Sequence, residues 1–99
     1  MQSAYQSSFD REMGCTEAEW LGWLPAAIGD KPWVRDGRCL RVNFGEGSLM
    51  ISWQTGSPRV IALLHLPRLL VSFRFEGLGE TERHVFMKRF DLYMQRGGG

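Results

Sequence analysis

The sequence predicts an α+β fold in which a four-stranded antiparallel meander lies between an N-terminal and a C-terminal helix. Three observations predict it: helical spacing of apolar residues towards both ends, alternation of apolar and polar residues between them, and turn dipeptides that separate the alternating runs. The predicted order is α-β-β-β-β-α, with both helices on one face of the sheet. The 99 residues, 43% of them hydrophobic, suffice for one core and are too few for two.

The chain begins with a polar segment. Charged residues at 10–12 lie where a signal peptide would need an apolar stretch. We therefore expect residues 1–14 to form a flexible leader, 15–96 a single α+β domain and 97–99 a disordered glycine tail. No apolar run approaches the ~20 residues of a spanning helix, so we expect a cytoplasmic protein with no membrane partner.

A capping box predicts where the first helix begins, because Thr16 is followed three residues later by Glu19. Apolar residues then recur at helical spacing, at Trp20, Trp23, Leu24, Ala27 and Ile28. Gly29 ends the helix, and Pro25 should kink or split it because proline lacks the backbone donor.

Four dipeptides suited to tight turns divide the middle of the chain: Asp36-Gly37, Glu46-Gly47, Gly56-Ser57 and Pro67-Arg68. They delimit predicted strands near 39–44, 49–54, 59–65 and 69–75. A short fifth strand at 33–34 is an alternative, and Pro32 would confine it to an edge of the sheet.

Treating each dipeptide as a two-residue loop predicts the register of the meander. Phe44 then faces Leu49, and Trp53 faces Leu40 on one side and Val60 on the other. The last loop pairs the third predicted strand with the fourth and sets Arg59 opposite Glu76. One sheet face then collects apolar residues for the helices: Val42, Phe44, Ile51, Trp53, Val60, Leu64, Val71 and Phe73.

The second helix is predicted to begin near Gly79, with Glu80 and Glu82 in its first turn, where the helix dipole favours anions. Its main apolar face comprises Phe86, Met87, Phe90, Tyr93 and Met94. Val85 and Leu92 lie on another side of this helix, which indicates a second contact.

Seven residues form a candidate interaction surface on the other face of the predicted sheet: Met50, Ile61, Leu63 and Leu70 at its centre, and Arg41, Arg59 and Arg74 at its border. A contiguous apolar patch with a polar rim is typical of a protein interface. We therefore expect a small protein-interaction module that self-associates through this surface, as a homodimer or with another protein partner. The alternative is that the leader or a displaced helix covers it.

Two other functions stay open. Arg41, Arg59 and Arg74 would hold phosphates in a single-stranded nucleic-acid binder, although a net charge of +1 and the lack of aromatic residues on that face disfavour it. A small ligand would bind between helix and sheet, lined by some of the tryptophans. No cofactor loop, metal-ligand spacing or catalytic constellation is visible, so we expect no enzyme activity, cofactor or metal ion.

Overall fold

The structure is a computed structural model that describes residues 5–97. Two helices and an antiparallel sheet of five strands confirm the α+β class, and two further short strands form a separate hairpin. The elements are β1 (Ser8–Met13), α1 (Glu17–Ile28), β2 (Trp33–Asp36), β3 (Cys39–Asn43), β4 (Ser48–Thr55), β5 (Arg59–Ile61), β6 (Leu64–Leu66), β7 (Leu69–Glu76) and α2 (Glu80–Gly97). The strand order is β1-β7-β4-β3-β2, and β5 pairs with β6 alone.

The prediction of a four-stranded meander was wrong at the third strand. β4 pairs directly with β7, so that Trp53 faces Val71 instead of Val60. Residues 59–66 leave the sheet and form the β5–β6 hairpin, in which Arg59 faces Leu66 rather than Glu76. Two prolines, Pro58 and Pro67, bracket this hairpin, and proline cannot donate to a ladder in the centre of a sheet.

The predicted register between β3 and β4 was wrong by two residues. Leu49 faces Val42, not Phe44, and the Phe44 amide donates instead to the Gly47 carbonyl at 2.8 Å. The turn begins earlier because the Asn43 side chain accepts a hydrogen bond of 2.8 Å from the Gly45 amide, with Gly45 at a φ of 93°. A two-residue shift leaves every side chain on its predicted face.

Part of the expected flexible leader is a strand. β1 pairs antiparallel with β7 at the edge of the sheet, and the Phe9 ring stacks on Phe73 with centroids 4.9 Å apart. Arg11 on the inner side of β1 obscured the alternation of this strand. Its guanidinium lies over the Phe73 ring and pairs with Asp91 of α2 at 2.6 Å, so the charge is satisfied in that position. The part of the leader that forms β1 therefore extends the sheet at its edge and does not cover the outer face.

The remaining elements agree more closely with the sequence-based predictions. The alternative fifth strand is present as β2, an edge strand paired with β3. Both hydrogen bonds of the Thr16–Glu19 capping box form, and α1 runs past Pro25 without being split. Gly97, expected in the glycine tail, is the last residue of α2, and the rest of that tail lies outside the described residues.

The core lies between the two helices and one face of the sheet. Trp20 of α1 contacts Trp53 and Phe90, and Phe90 of α2 packs edge-on against Phe73, with ring centroids 5.5–6.1 Å apart. The buried residues of that sheet face are Leu40, Val42, Leu49, Ile51, Trp53, Leu69, Val71, Phe73 and Phe75. Val60 and Leu64, which were expected on this face, lie exposed on the hairpin instead. Neither described helix is long and apolar enough to cross a bilayer.

Candidate interaction surface

The β5–β6 hairpin, with the residues that join it to the sheet, forms an arm that we define as residues 56–68. It leaves the sheet where Thr55 faces Leu69, at the end of the β4–β7 ladder. The arm turns back at Ala62 and Leu63, between the last pair, Ile61 and Leu64. Ala62 has a φ of 54°, in the left-handed region that a two-residue hairpin turn requires.

A backbone hydrogen bond and two ion pairs hold the base of the arm in place. The Gly56 amide donates to the Arg68 carbonyl at 2.9 Å, which closes the loop. Glu12 of β1 lies beside it, with one carboxylate oxygen 2.8 Å from Arg68 Nε and the other 3.5 Å from Arg59 Nη2. Two guanidiniums thus share one carboxylate, and the base of the arm has a net positive charge.

Apolar side chains on the arm are exposed to an unusual extent. Leu63 at the tip is 94% exposed and Leu64 is 62% exposed. The exposed large apolar residues of the arm are Val60, Ile61, Leu63, Leu64 and Leu66. Since side chains alternate along a strand, Ile61, Leu64 and Leu66 share one face of the ribbon, while Val60 lies on the other beside His65.

The structure separates the seven residues of the expected interaction surface into two groups. Arg41, Met50 and Arg74 lie in one row across β3, β4 and β7 on the outer sheet face, with Leu70 further along β7. The other three, Arg59, Ile61 and Leu63, belong to the arm. The prediction of a contiguous apolar centre was wrong, because it depended on a third strand that is not in the sheet.

The outer sheet face is mainly polar. Ser52 faces Ser72 at its centre, and Met50 is half-buried beneath the Cys39 thiol, with the two sulfur atoms 2.9 Å apart. Hydrogen bonds from Ser72 and Arg74 lower the pKa of the Asp10 carboxyl. With Arg74 paired to Asp10 and Arg59 on the arm, the three arginines do not form one cationic surface.

A pocket of about 310 Å³ lies at the other end of the molecule, between the β3–β4 loop and α2. We call it the end pocket; it is lined by Lys31, Phe44, Glu46, Leu78, Thr81, Glu82, Val85 and Phe86. The rings of Phe44 and Phe86 meet edge to face with centroids 5.1 Å apart, and Val85 is 64% exposed beside them. Val85, one of the two α2 residues from which a second contact was expected, thus lines this pocket.

Charged groups surround the mouth of the end pocket. A hydrogen bond to Glu82 raises the pKa of Glu46, and the same bond together with the Gly79 amide, 2.7 Å away, lowers the pKa of Glu82. The Lys31 ammonium lies 5.2 Å from the centroid of the Phe44 ring. Two carboxyl groups that share a hydrogen bond, and one ammonium group, therefore line the mouth of the pocket.

Sequence reasoning missed a charged network that joins α1 to the sheet. The Glu17 carboxylate accepts two hydrogen bonds from Arg38, both 2.8 Å long, and one from the Trp53 indole, also 2.8 Å. Hydrogen bonds from Arg38 and then Trp53 lower the pKa of Glu17 to about 2. No local pattern links these residues, because they lie 21 and 36 positions from Glu17.

Trp20 and Trp53 are core residues and not the walls of a ligand cavity between helix and sheet. The His84 ring lies tilted against Tyr5, with ring centroids 5.9 Å apart. Among residues 5–97, no group of three or more His, Cys, Asp or Glu side chains is arranged to hold a metal ion. Comparison of the chain with protein-family models, with curated proteins and with solved structures finds no match.

Proposed function

We propose that this chain is a small protein-interaction module that self-associates, and that the arm supplies the main apolar contact. The observation that carries the proposal is the exposure of five large apolar side chains on one narrow element. Ile61, Leu64 and Leu66 share one face of the ribbon, and contiguous apolar surface on a water-facing element is typical of an interaction site.

The energetics of the arm support a contact there. A two-stranded hairpin is marginally stable in water on its own, and no residue of β5 or β6 is buried. Burying Ile61, Leu63 and Leu64 against a partner contributes roughly 1.5 to 3 kcal/mol each, before the cost of association and ordering is subtracted. Three such side chains are enough for a weak complex.

The outer sheet face suits this role less well. Met50 is half-buried there, and its neighbours across the strands are Arg41 and Arg74. The face therefore offers less apolar area than the arm. We assign it at most a peripheral part in association.

Sedimentation velocity over a range of protein concentrations tests the proposal. The wild type should sediment faster as its concentration rises, and Leu63→Asp should remain a folded monomer because an ionised carboxylate cannot be buried without a partner. Ile61→Asp should behave in the same way. Arg41→Glu, which introduces a carboxylate at an exposed position on the outer face, is the control and should associate like the wild type.

The result for Arg41→Glu also decides between the surfaces. If that variant is monomeric while Leu63→Asp still associates, the outer face is the contact and the arm is not. If the wild type binds single-stranded RNA in a salt-sensitive manner and Arg41→Glu abolishes the binding, the chain is a nucleic-acid binder instead.

A further inference from the structure

We propose that the arm of one copy inserts into the end pocket of another, so that the protein assembles head to tail. This inference rests on the proposed function and deepens it, because it names the partner that the arm contacts and the site that receives the arm. The partner is a second copy of this chain.

The two surfaces lie at opposite ends of the central ladder. β4 and β7 are paired from Ser48 and Glu76, next to the end pocket, to Thr55 and Leu69, where the arm begins. Seven steps along an antiparallel ladder cover about 23 Å. No residue of the arm lines the pocket of its own chain, whereas two copies placed in line bring one arm to one pocket.

The pocket has the size and lining for the tip of the arm. An apolar cavity of about 150 Å³ accommodates a benzene-sized group, so about 310 Å³ has room for the side chains of Leu63 and Leu64. Phe44, Leu78 and Phe86 give it apolar walls. A tip that presents only Ala62 and two leucines has no polar side chain to desolvate there.

Charge favours the same pairing. Glu46 and Glu82 both line the pocket, and a neighbouring cation favours the ionised form of both carboxyl groups. Arg59 on the arm has a side chain 60% exposed, and it shares Glu12 with Arg68. An arm in the pocket thus brings the positive charge at its base towards these two carboxyl groups, which orients association. Two arms meeting each other would bring together charges of the same sign.

A contact between two different surfaces has a definite consequence for assembly. Each added copy leaves one arm and one pocket free, so growth continues unless the rotation between copies closes a ring. The particle mass should therefore exceed that of a dimer. A symmetric contact between two arms would stop at the dimer.

Mixing two blocked variants tests the assignment. Leu63→Asp removes the arm contact, and Val85→Arg fills the pocket from an exposed helical position. Each variant alone should be monomeric at concentrations where the wild type forms species larger than dimers. Their equimolar mixture should form a one-to-one dimer, since the intact arm of Val85→Arg binds the intact pocket of Leu63→Asp and neither partner can extend it. Circular dichroism checks that both are folded.

Leu92→Arg is the matched control, because Leu92 is also exposed on α2 but does not line the pocket. It should assemble like the wild type. If Val85→Arg also assembles like the wild type while Leu63→Asp is monomeric, the arm is a contact but the pocket is not its receptor, and only this inference fails. If Leu63→Asp assembles normally, or the wild type is monomeric throughout, the proposed function fails with it.

Discussion

The indole N–H of Trp53 donates a hydrogen bond of 2.8 Å to the carboxylate of Glu17, and this bond joins the first turn of α1 to the centre of the sheet. The same carboxylate holds Arg38 at the end of the β2–β3 turn. One side chain thus connects a helix, a strand and a turn, so its ionisation should affect the stability of the whole domain.

Acid should weaken this junction between about pH 4.5 and pH 2. The pKa of Glu17 falls from 4.5 to about 2 in the folded protein, so its contribution to stability is fully present above the higher value and is lost as the pH falls through the lower one. In Glu17→Gln the amide oxygen still accepts from Trp53, but the charge is gone.

Urea denaturation at several pH values measures this effect. The wild type should exceed Glu17→Gln in urea midpoint at pH 7, and the difference should shrink towards pH 2. Glu76→Gln, at an exposed strand position, is the control and should retain the wild-type dependence on pH. A constant difference between wild type and Glu17→Gln across this range would contradict the assignment.

Trp53→Ala should lower the free energy of unfolding by about 3 to 5 kcal/mol, the usual cost of emptying a large buried aromatic site. Trp53 is 4% exposed and packs against the Trp20 ring. The same substitution at Trp33, which is 37% exposed on the edge strand β2, should cost less than at Trp53. Chemical denaturation compares the two, and similar losses would show that burial does not distinguish these tryptophans.

Two glycine-to-alanine changes should have opposite effects. A Cβ at Gly47 would overlap the Glu76 carbonyl oxygen and the Gly77 backbone, so Gly47→Ala should destabilise by about 1 to 3 kcal/mol. Gly22 lies within α1 with open space around it, and alanine there should stabilise by about 0.5 to 1 kcal/mol. Thermal melts of both variants test this, and a stabilised Gly47→Ala would refute the close approach.

The arm should open independently of the core. Ala62 pays a steric penalty at its φ of 54°, and glycine in its place should hold the hairpin closed for longer. In Ala62→Gly, the amides of Ile61 and Leu64 should exchange with solvent several times more slowly, with no change for Ile51 in β4. Hydrogen exchange followed by NMR reports both, and a parallel slowing in β4 would show that arm and core open together.

Sequence patterns predicted the elements whose signals are local. The Thr16–Glu19 capping box predicted where α1 begins, and alternation predicted which side of β3, β4 and β7 faces the helices. That assignment survived a wrong register, because a shift of two residues preserves the face. The class of fold was therefore predictable from the sequence.

The two partners of β7 were not predicted, and the candidate site depended on them. From Val60 to Leu66 only His65 is polar, so this segment lacks the alternation that would reveal which face is buried, and only the pairing of β4 with β7 shows that it leaves the sheet. β1 was missed because Arg11 occupies an inward position that its partner Asp91, 80 residues away, makes tolerable. Both errors arise from long-range contacts.

The arm grows from β4 and β7, which have neighbours on both sides, rather than from an edge of the sheet. A pull on its tip acts along both strands, while the hydrogen bonds that join them to β3 and β1 run across the strands. Those bonds are then loaded together in shear instead of opening one after another. Because the end pocket lies at the far end of the same ladder, tension between copies in the proposed head-to-tail assembly would pass through the central strands, and the sheet would bear the mechanical load.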